Sequence, residues 1–135
     1  TMGLPRVRKV LGALQGLQPT SLLDLGTGRG AFLWPLLDAF PRLPIHCVDT
    51  LVHRVEGIRA VSRGGFPNLQ ADLADVCALP LTTDAVDGCT MLEVLEHLQH
   101  PEAALREVMR VTRRFVIVSV PNQPDDNPEH LRLYT

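Results

Sequence analysis

Ser21 to Gly30 read S-L-L-D-L-G-T-G-R-G, so a short apolar run stands directly before three alternating glycines. The run Leu22–Leu25 is too short for a helix and is ended by glycine, which is typical of a buried strand. A helix-length apolar segment, Ala31–Phe40, follows the last glycine. Strand, glycine turn and helix in this order predict the first unit of a nucleotide-type α/β fold. Glycine suits such a turn because it adopts positive φ freely and leaves bare backbone for a ligand to contact.

The composition is that of a globular protein, and we expect residues 1–135 to form a single domain. Hydrophobic residues make up 45% of the chain and its net charge is −2, which disfavours both disorder and a general attraction to nucleic acid. No apolar stretch approaches the roughly 20 residues of a membrane span, and the N-terminal segment lacks the apolar core of a secretory signal. Three widely spaced cysteines favour buried free thiols in a reducing, cytoplasmic compartment.

An amphipathic helix is predicted over Pro5–Leu17. Its apolar residues recur at helical spacing, whereas Arg6, Arg8 and Lys9 fall mainly on other faces. We interpret this helix as a cover for one edge of the sheet. The alternative is a basic patch that contacts the substrate.

The spacing of the glycines separates this turn from dinucleotide-binding turns, which read G-x-G-x-x-G. Here the turn reads G-x-G-x-G, and Asp24 precedes it by two residues. A second block, residues 78–97, runs from A-L-P-L through a polar turn and an apolar strand to E-V-L-E-H. The two blocks together resemble the class I S-adenosylmethionine-dependent methyltransferases, in particular their type 11 branch. The resemblance covers about residues 22–122.

This resemblance implies an α/β fold with a doubly wound, mainly parallel Rossmann-like sheet in the strand order 3-2-1-4-5. Short apolar runs predict its strands at Leu22–Leu25, Ile45–Val48, Asn68–Ala71, Val86–Leu92 and Phe115–Val120. In the family the sheet continues with a helix and an antiparallel pair of strands. Because the sequence ends at Thr135, we expect these C-terminal antiparallel strands to be missing. The edge of the fifth strand would then be open to a second copy or a partner chain.

The cofactor implied by the resemblance is S-adenosylmethionine, with S-adenosylhomocysteine as the product. Its methionine part would lie beside the glycine turn, and Asp49 would accept hydrogen bonds from the ribose hydroxyls. Asp72 would accept from the adenine amino group while Leu73 packs on the ring; the alternative is that Asp72 caps the turn at Ala74–Val76. The predicted cofactor-binding residues are Asp24, Gly26, Thr27, Gly28, Gly30, Asp49, Thr50, Asp72, Leu73 and Glu93.

The acceptor side is represented by E-V-L-E-H, in which Glu93, Glu96 and His97 would lie near one another on a helix. His97 is a candidate general base for a hydroxyl acceptor, and Glu96 is the second catalytic candidate. With His130 the same residues resemble the metal site of the RNA 3′-terminal 2′-O-methyltransferases. However, E-V-L-E-H also occurs in type 11 enzymes that hold no metal, and we therefore predict no metal ligands.

Methyl transfer from a sulfonium is an in-line displacement of a neutral leaving group, so the protein has mainly to align the nucleophile and exclude water. We therefore expect an enzyme that methylates a small-molecule acceptor. We expect no membrane as a partner. One alternative is the metal-dependent RNA 2′-O-methyltransferase. The other is a non-catalytic cofactor-binding or assembly module.

Overall fold

A six-stranded sheet with helices on both faces makes up the described part of the computed structural model, which comprises residues 4–26, 32–121 and 129–134. For residues 4, 120, 121 and 129–134 the backbone alone is described. The helices are α1 (Leu4–Leu17), α2 (Leu33–Ala39), α3 (Val52–Arg63) and α4 (Pro101–Val111). The strands are β1 (Leu22–Leu25), β2 (Ile45–Asp49), β3 (Leu69–Leu73), β4 (Val86–Met91), β5 (Thr112–Pro121) and β6 (Glu129–Tyr134).

The strand order is β3-β2-β1-β4-β5-β6. The first five strands are parallel, which confirms the predicted α/β class and the order 3-2-1-4-5. β6 runs antiparallel to β5. The expectation that the antiparallel strands are missing is therefore corrected for one strand.

The sequence of β6 explains why it was overlooked. Leu131 and Leu133 alternate with polar residues in a segment of only six residues, a weak signal that a polar tail can also give. Such a strand forms because it pairs with a neighbouring strand, which here is β5. The pairing begins where Pro121 of β5 lies opposite Glu129 of β6. The β5 edge that we expected to be open is thus covered, and an additional chain at this side of the sheet would contact β6 instead.

The two central strands are buried along their whole length, which accounts for their nearly continuous apolar sequences. Helices α1, α2 and α3 pack on one face of the sheet and α4 packs on the other. The core of the first face includes Val10, Leu14, Leu36, Ile45, Ile58 and Phe115. The core of the second face includes Leu23, Leu25, Val48, Met91, Ala104 and Val108.

Gly88 makes room for the largest of these core side chains. It lies opposite Phe115 in the register of β4 and β5, and a Cβ at Gly88 would overlap the Phe115 ring. The ring is 1% exposed and lies directly over the glycine, so the pair behaves as one packing unit.

The amino ends of β1, β4 and β5 are joined through one carboxylate, that of Asp87, which is 2% exposed. Its Oδ2 accepts hydrogen bonds from the Thr20 N–H and from Arg114, both at 2.9 Å, and Arg113 lies 3.5 Å from its Oδ1. The Ser21 hydroxyl accepts from the Asp87 N–H at 2.9 Å. Burial alone would raise the pKa of Asp87, but the Thr20 N–H and the charges of Arg114 and Arg113 outweigh it and lower the pKa. We refer to Asp87 and these four partners as the Asp87 cluster.

Cys47 and Cys89 are unoxidised thiols buried in the core, as predicted, whereas the Cys77 thiol is partly exposed. Across the described ranges no helix combines the length and the apolar character that crossing a bilayer requires.

Candidate functional site

The predicted site residues converge on the carboxyl edge of the parallel strands. Gly26 directly follows β1, Asp49 ends β2, and Glu93 lies two residues after β4. The chain leaves β1 toward β2 and β3 on one side and returns with β4 and β5 on the other. This reversal opens a crevice at the carboxyl ends of the strands, the usual ligand site of open α/β sheets.

The first residue of the glycine turn cannot be replaced without strain. Gly26 has φ +71°, and its N–H donates to the Val48 carbonyl oxygen at 3.0 Å. A Cβ at this position would lie 2.8 Å from Cγ2 of Val94. Positive φ and this close approach together require glycine. Thr27, Gly28 and Gly30 lie outside the described residues, so their contacts with the cofactor stay predictions.

Asp24 lies beneath this turn inside the sheet. It is buried, and its Oδ1 accepts a hydrogen bond from the hydroxyl of Thr90 on β4 at 2.6 Å. The carboxylate is therefore held in place across two neighbouring strands. Its predicted role in cofactor binding stays a prediction.

The carboxylate of Asp49, at the end of β2, is buried but not fully hydrogen-bonded. It is 6% exposed, and its Oδ1 accepts from the Leu51 N–H at 3.0 Å. Its Oδ2 is buried and has no hydrogen-bond partner among the described residues, and the Arg54 guanidinium lies 3.8 Å away. Buried polar atoms are nearly always hydrogen-bonded, and a donor from a bound ligand would complete the hydrogen bonding of this oxygen. Ribose hydroxyls are such donors. The neighbouring Thr50 is exposed.

Asp72 has partners within the chain. Its Oδ2 lies 2.6 Å from Nε2 of His46, and Arg59 lies 3.5 Å from its Oδ1. The register of β2 and β3 creates this contact, because Asp72 lies opposite Val48, two residues after His46. Leu73 ends β3 and is 51% exposed, so its side chain is available to pack against a ligand. The adenine contacts proposed for both residues stay predictions.

Asp75 is a residue of this edge that the sequence reasoning missed. The Ala74 N–H donates to the Asp49 carbonyl oxygen at 3.1 Å, which places the turn after β3 directly beside the end of β2. Asp75 is exposed in that turn, and its Oδ1 accepts from the Cys77 N–H at 2.8 Å. The capping role considered for Asp72 thus belongs to Asp75. Its position directly before an apolar turn could have indicated this.

Glu93 is held in an uncommon backbone conformation, with φ +57°. Its N–H donates to the Ser119 hydroxyl at 2.6 Å, and its Oε1 lies 3.1 Å from the Arg6 guanidinium. Non-glycine residues with positive φ persist only where surrounding contacts hold them, and they cluster at functional sites.

Glu96 and His97 lie in a 3₁₀ turn, Leu95–His97. The His97 side chain is 77% exposed, and its Nε2 lies 3.9 Å from Oε1 of Glu96. Within the described ranges no group of three or more His, Cys, Asp or Glu side chains is placed to hold a metal ion. The side chain of His130 lies outside the described residues.

Comparison with known proteins agrees with this geometry. The family model described as "Methyltransferase domain" (Methyltransf_11) matches residues 23–118, more than half of the chain. The chain belongs to the class I S-adenosylmethionine-dependent methyltransferases. The cofactor of this methyltransferase is therefore S-adenosylmethionine, and an acidic residue at the end of β2, a glycine turn after β1 and an unfilled hydrogen-bond acceptor fit it.

Two curated relatives and one solved structure illustrate the similarity. The methyltransferase is 30% identical to the malonyl-[acyl-carrier protein] O-methyltransferase of Geobacter sulfurreducens over 108 residues, which are 80% of this chain and 40% of the relative. It is 30% identical to the demethylmenaquinone methyltransferase of Roseiflexus castenholzii over 120 residues, 84% of this chain and 48% of the relative. The chain thus spans less than half the length of these relatives. A SAM-dependent methyltransferase from Aquifex aeolicus shares its fold, with TM-score 0.69, 18% identity and coverage of 95% of this chain and 79% of that one.

Arg6 is another residue whose environment differs from the sequence prediction. It was assigned mainly to the polar side of α1, yet it is 7% exposed. Its position four residues before Val10 and eight before Leu14, both fully buried, was the available signal. An arginine on a buried helix face must find an anionic or polar partner, and here Glu93 is one.

Proposed function

We propose that this methyltransferase domain transfers the methyl group of S-adenosylmethionine to a small-molecule acceptor. The observation that carries the proposal is the buried Asp49 Oδ2, which has no hydrogen-bond partner in the described part of the chain. Two relatives support the acceptor class, because their names specify demethylmenaquinone and a malonyl group on acyl carrier protein, neither of which is a nucleic acid.

The cofactor would be held by residues of three strand ends. Asp49 would accept from the ribose hydroxyls, and the glycine turn that begins at Gly26 would receive the methionine part. The exposed apolar side chains of Leu51 and Leu73 flank the ends of β2 and β3 and would cover the adenine. Asp72 and Asp75 are the two candidates for accepting from the adenine amino group. Asp75 is the better candidate, because one of its oxygens accepts from Cys77, whereas both oxygens of Asp72 already contact His46 or Arg59.

When bound, the cofactor supplies a methyl group already activated by the sulfonium, so that breaking the carbon–sulfur bond yields a neutral thioether as the acceptor–carbon bond forms. The protein contributes alignment and exclusion of water, and it accepts a proton where the acceptor is a hydroxyl or another weak nucleophile. His97 is the proposed base. The Glu96 carboxylate lies 3.9 Å from its ring.

The cofactor part of the proposal is tested by thermal denaturation with and without S-adenosylhomocysteine. A ligand that binds only the folded state at 100 times its Kd stabilises that state by about 2.7 kcal/mol. We expect a clear rise in Tm, and a smaller rise when adenosine monophosphate, which lacks the methionine part, replaces the nucleoside thioether at the same concentration. An unchanged Tm at saturating S-adenosylhomocysteine would contradict the cofactor assignment.

The acceptor part is tested with S-adenosylmethionine that carries a tritiated methyl group. The purified protein is incubated with pools of small hydroxyl, carboxylate and quinol compounds, and separately with RNA bearing a free 3′ end, each with and without EDTA. We expect label in the small-molecule fraction and no effect of EDTA. EDTA-sensitive label in RNA would instead support the RNA 2′-O-methyltransferase. Cofactor binding without transfer to any pool would support the non-catalytic module.

A further inference from the structure

Arg6 is a buried cation that lies before the region matched by the family, residues 23–118. It belongs to α1, and 5% of its side chain is exposed. Its guanidinium lies 3.1 Å from Oε1 of Glu93, which follows β4 at the carboxyl edge. Burial lowers the pKa of Arg6, and the carboxylates of Glu93 and Glu96 oppose that effect. The N-terminal helix therefore places a positive charge beneath the candidate cofactor site.

Burying the charge of Arg6 lowers the stability of the fold unless a partner compensates for the lost hydration. Val7, Val10 and Leu14 of the same helix are buried in the core. Arg6 is buried as well, and an apolar side chain at position 6 would be buried without desolvating a charge. The exposed Arg8 on the same helix carries no such cost. The Glu93 carboxylate, 3.1 Å from the guanidinium, is an acidic contact that stabilises this buried charge.

Glu93 is linked mechanically to the glycine turn. Its N–H is anchored to Ser119 of β5 at 2.6 Å, and its side chain is anchored to Arg6 of α1. The backbone of the residue that makes these two contacts has φ +57°. The next residue, Val94, lies so close to Gly26 that a Cβ there would be 2.8 Å from its Cγ2. A shift of Glu93 therefore moves Val94 against the backbone that is proposed to receive the cofactor.

We propose that Arg6 is a positioning residue for cofactor binding: its contact with Glu93 fixes the segment after β4 in the conformation that leaves the glycine turn open. This inference rests on the proposed function. It makes α1, which lies outside the matched region, a part of the cofactor site. Arg6 acts through Glu93 and is not itself a catalytic residue.

The test measures the Kd of S-adenosylhomocysteine by fluorescence of Trp34, the only tryptophan of the chain, and by calorimetry. Arg6→Met is expected to raise the Kd by about tenfold, and Arg6→Lys, which keeps the charge, by clearly less. Arg8→Met is the matched control, because Arg8 is exposed on the same helix, and its Kd should stay within about twofold of the wild type. If Arg6→Met does not fold, Arg6→Gln replaces it under the same criterion.

Two further readouts separate positioning from other roles of Arg6. In a double-mutant cycle, Arg6→Met combined with Glu93→Gln should raise the Kd no more than the larger single effect, whereas additive effects would overturn the proposal. If Arg6 acted only as a charge, its removal would strengthen binding of the cationic S-adenosylmethionine; positioning predicts weaker binding of both ligands.

The outcomes also separate this inference from the proposed function. A wild-type protein that does not bind S-adenosylhomocysteine contradicts the proposed function. A wild-type protein that binds it, with an Arg6→Met variant whose Kd is the same, overturns only the role of Arg6, even if the Tm of that variant is lower.

Discussion

Two buried aspartates lie at opposite edges of the same sheet and differ in how completely the protein satisfies them. At the amino edge, Asp87 accepts hydrogen bonds from Thr20 and Arg114 and lies near Arg113. At the carboxyl edge, Asp49 accepts one hydrogen bond from Leu51, and its second oxygen is buried without one from any described residue, although the Arg54 guanidinium lies 3.8 Å away. Their exposures, 2% and 6%, are nearly the same.

From this contrast we infer that Asp87 is a structural carboxylate, and we propose that Asp49 is a ligand-binding one. A buried carboxylate whose partners lie within the chain stabilises the fold, whereas one left with an unfilled acceptor destabilises the fold until a ligand supplies the donor. Burial alone does not distinguish the two cases, and the inventory of hydrogen bonds does. Substitutions at the two edges should therefore change different measurable quantities.

The largest effects are expected from a pair of glycines, one near each edge. Gly88→Ala should lower the free energy of unfolding by about 3 kcal/mol, because the added methyl would overlap the buried Phe115 ring. Gly26→Ala should chiefly weaken cofactor binding, because its φ is +71° and Val94 lies close by. Urea denaturation and calorimetric titration with S-adenosylhomocysteine measure the two quantities. A Gly26→Ala variant that binds S-adenosylhomocysteine with the affinity of the wild type would contradict the assignment of the carboxyl edge to cofactor binding.

Asp49→Asn should raise the Kd of S-adenosylhomocysteine by about 100-fold, because charged hydrogen bonds to the ribose would be lost. The free energy of unfolding should stay the same or rise, because a buried charge is removed while Oδ1 can still accept from Leu51. Calorimetry and urea denaturation of the same preparation check both statements. A strongly destabilised variant with unchanged affinity would assign Asp49 to the structural class.

Asp87→Asn should behave in the opposite way. We expect the free energy of unfolding to fall by about 2 kcal/mol, because the charged acceptor shared by Thr20 and Arg114 is lost. The Kd of S-adenosylhomocysteine should stay within about twofold of the wild type, measured at a temperature where the variant is folded. Weaker cofactor binding at full folding would show that the two edges are coupled.

The stabilisation that Asp87 provides should be lost in acid. The folded-state pKa of Asp87 lies below its ordinary value of 3.8, so its stabilisation is present above that value and is lost as the pH falls through the lowered pKa. Between about pH 4 and pH 2 the wild type should therefore lose more stability than Asp87→Asn does. Urea denaturation across this range is the measurement. Parallel curves for the two proteins would contradict the assigned role.

The smallest effect concerns the adenine contact at the carboxyl edge. S-inosylhomocysteine lacks the amino group of adenine, so the wild type should bind it about fivefold more weakly than S-adenosylhomocysteine. The variant that removes the true acceptor, Asp72→Ala or Asp75→Ala, should lose this discrimination. We expect the loss in Asp75→Ala, because Asp72 is already paired with His46. Retained discrimination in Asp75→Ala together with its loss in Asp72→Ala would assign the contact to Asp72.

Local patterns were enough to predict the parallel strands and the place of Asp49 at the end of β2. A short apolar run before glycine and an acid directly after a strand are features of neighbouring residues, so they can be read without tertiary structure. The contact of Asp72 with His46 depends on the register of β2 and β3. The burial of Arg6 depends on how α1 packs on the sheet. β6 depends on pairing with β5, because its short alternating sequence carries little information alone.

The most direct test of the account is a crystal structure of the protein with S-adenosylhomocysteine. The account predicts that Oδ2 of Asp49 lies about 2.6–3.0 Å from a ribose hydroxyl oxygen, while the contacts of Asp87 at the opposite edge are unchanged. A ligand bound elsewhere, or a ribose whose hydroxyls do not reach the Asp49 carboxylate, would contradict it.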